Sequence, residues 1–368
     1  MTGIIASIVL IVGLVGVTLA LTPYLMPPTE CFTVTVPPSA KGDPRIKALF
    51  RTHTIIVAAL AVVGSLLIAL MLPSANDLAA SIVMMAGTLL PIIGSFAFML
   101  SARKQVMGLK RAEGWTSSQA HAAAFVSDDS IPEPIPIAWE LLHVLVVLAL
   151  AAFALLAYDR LPDQIPMHAG LDGTVNGYAS KSLGTVMFPV LLAAFLGITM
   201  ALAHWGILRS KRPVDPAAPA TSALAYGQFA RAQSIIMLVG GLAMSACIGA
   251  SFFLSSMGTI TLGTAGIITT VVAIAFVAAE IWVSVHHGQS GARMAAELRT
   301  SDEVARDDDA FWKLGTFYCN GDDPSVFVPK RFGMGWTINI ARPAAWALFA
   351  LIILLAVAFS VISIKLVG

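Results

Sequence analysis

The chain has 368 residues, of which 57% are hydrophobic and only 12% are charged, and its mean hydropathy is +0.83. Soluble domains contain about 25% charged residues, so this composition excludes an ordinary soluble protein and predicts an all-α integral membrane protein. The net charge of +1 gives no reason to expect a nucleic-acid partner. The lipid bilayer is the expected surrounding of most of the chain.

A helix that crosses a membrane needs about 20 mainly apolar residues. Such stretches lie at 3–24, 53–72, 78–100, 137–157, 183–206, 233–256, 260–286 and 344–365. They predict about eight transmembrane helices. The corresponding regions are a three-helix region over 1–136, a helix pair over 137–206, a second pair over 207–287, an extramembrane module over 288–343 and a final helix over 344–368.

Basic residues are distributed unevenly between the connecting segments. Of the 22 Lys and Arg residues, all but Arg160, Lys181 and Lys365 lie in the segments that follow the first, third, fifth and seventh predicted helices. Cytoplasmic loops carry the excess of Lys and Arg in membrane proteins. The sequence therefore predicts that these four segments are cytoplasmic and that both termini are extracytoplasmic.

Two of the predicted cytoplasmic segments are expected to form a small α/β module. Residues 31–36 alternate in polarity and are rich in β-branched side chains, which predicts one strand. Residues 326–328 and 336–340 are also predicted to be strands, and we expect all three to join in one sheet. The acidic run 307–309 is expected to be a solvent-exposed face rather than a cation site.

The segment 158–182 is polar and rich in turn residues, and it lies between two long apolar runs on the predicted outer side. Asn-Gly pairs such as Asn176-Gly177 favour tight turns. We predict a recognition surface in which His168 titrates or ligates, Tyr178 stacks and Lys181 meets an anionic group. A braced turn with no ligand is the alternative. The candidate ligand-binding residues are Pro162, Pro166, His168, Gly173, Gly177, Tyr178 and Lys181.

Ionisable residues recur near the opposite ends of the predicted helices. Such groups at membrane depth are costly and often functional. The candidates for metal binding or proton coupling are Glu140, His143, His204, Glu280, His286 and His287. Glu140 and His143 lie three residues apart and share a helix face. Carboxylate and imidazole groups are zinc ligands, so a zinc site is one interpretation, and solvated interfacial side chains are another.

Two sequence strings resemble segments of known families. Leu161-Pro-Asp-Gln-Ile-Pro-Met-His168, followed by Gly177-Tyr178 and Ser180-Lys181, resembles the domain of unknown function 1648 shared by SdpI-type bacterial immunity proteins. Residues 311–340, with Trp312-Lys-Leu-Gly-Thr-Phe-Tyr318, resemble a second segment of unknown function, numbered 5808.

The resemblance to SdpI-type proteins implies a non-enzymatic function in the bacterial plasma membrane. The best-understood relatives protect their host from a secreted antimicrobial peptide and relay its presence to a cytoplasmic repressor. We therefore expect an extracellular peptide ligand and a cytoplasmic regulator or partner subunit. This chain differs from the compact immunity proteins in having eight predicted helices and a longer module.

Two other functions are compatible with the sequence. The first is a small-solute or ion permease that uses Glu140, His143 and Glu280. The second is a membrane metalloenzyme built on the same ionisable residues.

Overall fold

The computed structural model describes residues 3–117, 131–170, 173–213, 215, 218–297, 302, 304 and 307–367. It is mostly helical, at 72%. The helices of this described part are α1 (Gly3–Leu25), α2 (Pro44–Met71), α3 (Asp77–Glu113), α4 (Leu142–Ala157), α5 (Leu183–Leu208), α6 (Pro219–Ser256), α7 (Leu262–His287), α8 (Ala292–Glu297) and α9 (Pro343–Val367). Eight segments, each containing one of the helices other than α8, are long and apolar enough to cross a membrane, and the short α8 continues the segment of α7; the prediction of eight such helices is confirmed.

Four of the described helices, α2, α3, α5 and α7, begin where the sequence supplies an N-cap side chain. Asp43, Asn76, Ser182 and Thr261 each accept a hydrogen bond from a backbone N–H in the first turn of the helix that follows. Such caps satisfy amide groups that the helix itself leaves unpaired.

The eight long helices form two bundles. One bundle contains α1, α2 and α3, and the other contains α4 to α7 with α9 packed on α5; α1 contacts α7 where the bundles meet. The backbones of α2 and α3 approach so closely that a Cβ on Gly64 would lie 2.3 Å from the carbonyl oxygen of Gly87. The crossing therefore requires glycine at this point of α2.

Large apolar side chains cover the outside of both bundles. Leu70, Leu156 and Ile364 are 74%, 82% and 71% exposed. Contiguous apolar surface of this extent is costly in water and is what hydrocarbon accepts. The molecule is therefore built as a multi-pass membrane protein.

The strands are short, and the described residues pair them in four separate antiparallel hairpins. The pairs are β1 (Glu30–Cys31) with β2 (Val34–Thr35), β3 (Gln164–Ala169) with β4 (Val175–Ser180), β5 (Trp312–Lys313) with β6 (Phe317–Tyr318), and β7 (Phe327–Pro329) with β8 (Trp336–Ile338). Only single bridges link these hairpins to other segments. The expected single sheet is thus replaced by separate hairpins.

The prediction of one strand over 31–36 is wrong. Phe32 and Thr33 have φ of 44° and 67°, and the chain reverses there so that Cys31 pairs with Val34. Left-handed backbone at two non-glycine residues is uncommon and persists only when tertiary contacts fix it. Here Phe32 is fully buried and two arginines bind the carbonyl of Thr33.

The connecting segments after α1, α3, α5 and α7 meet at one end of the molecule, which we call the module end. Arg103 in α3 donates to the Thr33 carbonyl at 2.6 Å, and Lys211 after α5 pairs with Asp323 at 2.5 Å. The β3–β4 hairpin lies at the other end of α4 and α5. The four lysine- and arginine-rich segments thus lie at the same end of the molecule. This is expected, because two membrane-length helices separate each of these segments from the next.

Candidate functional site

The β3–β4 hairpin is anchored on one face and open on the other. Ile165 pairs with Ala179, and both are buried; Ile165 packs in an apolar cluster that includes Leu161 and Phe253. Side chains of a strand alternate between its faces, so the intervening residues face away from the bundle. Residues 171 and 172, which belong to the segment predicted to recognise a ligand, lie outside the described residues.

The open face of the hairpin carries His168, Asn176 and Tyr178. Nδ1 of His168 lies 2.5 Å from Oδ1 of Asn176, and Tyr178 is 59% exposed. The Asn176-Gly177 pair forms no turn: it lies within β4, where the register shifts next to His168. A Cβ on Gly177 would lie 2.9 Å from Cβ of His168, so the glycine makes room for the histidine.

The other predicted ligand-binding residues lie nearer the base or the tip of the hairpin. Lys181 Nζ donates to the Leu161 carbonyl at 2.9 Å and lies 3.4 Å from an Asp163 carboxylate oxygen. Pro162 is exposed beside this contact, and Pro166 pairs with Tyr178. Gly173 has φ of 85° at the tip. The predicted residues therefore separate into an open face and a brace at the base, which contains Lys181.

Near the other end of α4 and α5, three ionisable side chains form a buried Glu–His cluster: Glu140, His143 and His204. Glu140 lies in the 3₁₀ turn Ile137–Leu141, whose three residues per turn place it over His143. Oε1 of Glu140 is 2.8 Å from His204 Nδ1. Oε2 of Glu140 is 2.9 Å from His143 Nδ1, but the angle between these groups is not that of a hydrogen bond. The three residues are 7%, 5% and 0% exposed.

The surroundings of the Glu–His cluster hold the imidazoles in place. Nε2 of His204 lies 2.9 Å from the Ile135 carbonyl oxygen, so both of its ring nitrogens face oxygens. A Cβ on Gly197 or Gly241 would lie less than 3 Å from His143. Within the described residues, Nε2 of His143 has no hydrogen-bond partner.

The remaining predicted metal or proton-coupling residues lie on α7 and contact other groups. Glu280 hydrogen-bonds Gln233 of α6. His286 stacks on Trp282 with ring centroids 5.2 Å apart, and His287 Nδ1 lies 3.2 Å from the Val283 carbonyl oxygen. Among the described residues, no three His, Cys, Asp or Glu side chains are arranged as metal ligands.

Sequence reasoning missed a buried ionic core at the module end, formed by Glu30, Lys110, Asp308, Asp309 and Arg331. Arg331, which is 3% exposed, contacts Asp308, lies 2.5 Å from Asp309 and lies 3.4 Å from Glu30. Lys110 adds a 2.6 Å contact to Asp309. The expectation that 307–309 is a solvent-exposed face is therefore wrong for Asp308 and Asp309, which are 5% and 8% exposed.

In the ionic core, attraction between the cations and the carboxylates offsets the cost of burying these charges. Burial raises the pKa of Asp309, but the Arg331 charge and the Lys110 hydrogen bond more than offset this and hold that pKa below its ordinary value. Burial raises the pKa of the neighbouring Cys31 thiol to about 12. Cys31 is therefore an unreactive thiol in the folded module, because the thiolate is the nucleophile.

An aromatic cage attaches the module to α2 and α3. His53 of α2 is surrounded by Phe32, Phe98 and Phe332, with ring centroids 5.8, 5.4 and 5.6 Å away. Its Nε2 lies 3.1 Å from Ser95 Oγ of α3. One of these rings comes from the β1–β2 turn and another from the segment after β7, so the cage joins both halves of the module to one bundle.

Eight membrane-length helices, with a hairpin at one end and an ionic module at the other, define a multi-pass membrane protein. Residues 144–193 match the model of a domain of unknown function, DUF1648. Residues 322–346 match that of a family of unknown function, DUF5808. The two segment assignments from sequence are thereby confirmed, although the second match begins after the 312–318 string. No curated protein matches the chain, and neither does any solved structure.

Proposed function

We propose that this protein is a non-enzymatic, multi-pass protein of the bacterial plasma membrane that senses or neutralises an extracellular ligand such as an antimicrobial peptide. In this proposal the β3–β4 hairpin and both termini face outward, and the module faces the cytoplasm. The distribution of Lys and Arg supports this orientation, because cytoplasmic loops carry the basic excess. A cytoplasmic regulator or partner subunit would receive the signal at the module.

The observation that carries the proposal is the course of α4 and α5. The hairpin joins these two helices at one end, and at the other end they carry the Glu–His cluster and α5 contacts the module. Lys211, just after α5, donates its backbone N–H to the Phe327 carbonyl at 2.9 Å. The ring of Trp205 in α5 lies 5.6 Å from that of Phe327. A displacement of the hairpin is therefore transmitted to the module through α5, to which the Glu140–His204 contact couples α4.

The chemistry of the open hairpin face suits a peptide. Tyr178 offers an exposed ring, and the His168–Asn176 pair offers both donors and acceptors. Tyrosine is favoured at recognition surfaces because its rigid ring buries much area at a small entropic cost. Lys181 supports this face rather than forming part of it.

The test is survival under peptide challenge. A bacterial strain that lacks the gene is complemented with the wild-type chain or a variant, and is exposed to the antimicrobial peptides that the same species secretes. We expect the wild-type chain to restore survival and the double variant His168→Ala/Tyr178→Ala to fail. Gln164→Ala, also on the hairpin but near its base, is the matched control. Full protection by the double variant, at equal membrane abundance, would contradict the proposal.

A second candidate is a proton-coupled permease, which the buried Glu–His cluster favours. A carboxylate between two imidazoles is able to pass a proton between α4 and α5 at this end of the molecule. Solute uptake into proteoliposomes that is driven by a proton gradient and lost in Glu140→Gln would support this candidate. Uptake that is unchanged in Glu140→Gln and in Glu280→Gln would remove its basis.

A further inference from the structure

A cavity of about 170 Å³ lies at the module end, beside the ionic core. It is lined by residues of the α1–α2 segment, the α5–α6 segment, the turn after α7 and the β7 strand. Its walls are mainly apolar and include Pro27, Pro213 and Val328. The volume accommodates on the order of ten water molecules, or a small organic molecule with about as many non-hydrogen atoms.

Two buried donors without partners line this cavity. Trp312 is 5% exposed and Ser290 is 8% exposed. Within the described part of the chain, neither Trp312 Nε1 nor Ser290 Oγ has a hydrogen-bond partner. Leaving a buried polar group without a hydrogen-bond partner is costly, so the arrangement favours a bound group that supplies acceptors. Ser290 is also held at φ of 57°, a left-handed conformation that is uncommon for non-glycine residues.

Three cations, Lys211, Lys330 and Arg331, line the cavity together with three carboxylates, and two of these cations form ion pairs. Arg331 is compensated by Glu30, Asp308 and Asp309. Lys211 is compensated by Asp323. Lys330 also lines the cavity, and among the described residues no carboxylate forms an ion pair with it. Burial lowers the pKa of Lys330, and a bound anion would favour its charged form.

From this geometry we propose that the cavity binds a small organic monocarboxylate with an apolar body. The carboxylate accepts hydrogen bonds from Lys330, Trp312 Nε1 and Ser290 Oγ, and the body packs against the prolines and Val328. The ligand carboxylate gives Lys330 the ion-pair partner that no carboxylate of the described residues provides. A phosphate dianion is disfavoured, because Glu30, Asp215 and Asp308 line the same cavity. The site lies at the end of the molecule opposite the hairpin and does not depend on peptide recognition there.

The test is isothermal titration of the purified full-length chain in detergent with hexanoate, benzoate, 1-hexanol and inorganic phosphate. We expect both carboxylates to bind and 1-hexanol and phosphate to fail. Lys330→Met should weaken carboxylate binding roughly 10- to 100-fold, the effect of losing a charge-assisted hydrogen bond. Trp312→Phe keeps the ring and removes the donor, so it should weaken binding roughly two- to tenfold.

Lys313→Met is the matched control, because Lys313 is the exposed neighbour of Trp312 and does not line the cavity. It should leave binding unchanged. The proposal is overturned if Lys330→Met binds hexanoate as the wild type does, if 1-hexanol binds as well as hexanoate, or if only phosphate binds. Absence of carboxylate binding to the wild type at millimolar concentration also overturns it, and indicates that water alone satisfies the donors.

Discussion

Replacing Arg331 by Met is expected to loosen the module without unfolding the helical bundles. The substitution removes the guanidinium that contacts Asp308 and Asp309 and binds the Thr33 carbonyl, while leaving the carboxylates in place. Removal of one partner from a buried ion pair costs about 3–5 kcal/mol. Lys110 still compensates Asp309, so we expect a cost near 3 kcal/mol. That value corresponds to a roughly 100-fold increase in the population with an open β1–β2 turn.

Cys31 is the reporter for this opening. It is fully buried in β1, and burial raises its thiol pKa to about 12, so alkylation requires that the turn open. In a Cys247→Ser/Cys319→Ser background, the rate of maleimide labelling at neutral pH should rise roughly 100-fold in Arg331→Met. Arg331→Met/Asp308→Asn should recover part of the loss, because one uncompensated carboxylate is removed.

Lys313→Met serves as the control for loss of a surface charge and should label at the wild-type rate. An Arg331→Met chain that labels within twofold of the wild type would refute the reasoning that the ionic core holds the turn closed.

Two further predictions concern packing and pH. Gly64→Ala should lower the free energy of unfolding of the purified chain by about 1–3 kcal/mol. Gly13→Ala, which has nothing within 4 Å of the new methyl group, is the control and should be neutral. Equal effects of the two substitutions would contradict the close α2–α3 crossing. Burial raises the pKa of Asp323, but hydrogen bonds from Lys211 and Ser325 bring it to about 2. The carboxylate therefore stabilises the module above its unfolded pKa of about 3.9, by up to about 2 kcal/mol, and this is lost as the pH falls toward about 2. Near-UV circular dichroism should show an acid transition that is smaller in Asp323→Asn, and transitions of equal size would exclude this role.

The helices were predictable from sequence because their signal is local. A run of apolar residues long enough to cross hydrocarbon has few alternatives, and N-cap residues such as Asn76 and Ser182 mark where helices begin. The shared face of Glu140 and His143 is local too. His204 comes from another helix, and only the packing of α4 on α5 brings it to Glu140.

The module was predictable only in outline, because its contacts join distant parts of the chain. Arg331 contacts Glu30, and Thr35 donates to Asp309 across 274 positions. A run of three aspartates has the composition of a solvent-exposed face, and nothing near it in sequence reveals the buried cations that compensate it. Likewise, the alternating pattern of 31–36 favours a strand, whereas burial of Phe32 in the aromatic cage requires a turn.

The same distinction applies to the hairpin. Its polar, glycine-rich composition marked 158–182 as an ordered loop, but the pairing register decided the position of each side chain. Gly177 lies opposite His168 within β4 instead of forming a turn, and Lys181 braces the base of the hairpin.

Cysteine accessibility on the two sides of the membrane tests the central claim most directly. Single cysteines replace Thr174 at the hairpin and Asp322 in the module, both exposed, in a chain without its natural cysteines. In intact cells a membrane-impermeant maleimide should label the cysteine at 174, and the cysteine at 322 should be labelled only after permeabilisation. Labelling of position 322 in intact cells, with position 174 protected until permeabilisation, would reverse the orientation and contradict recognition of an extracellular ligand by the hairpin.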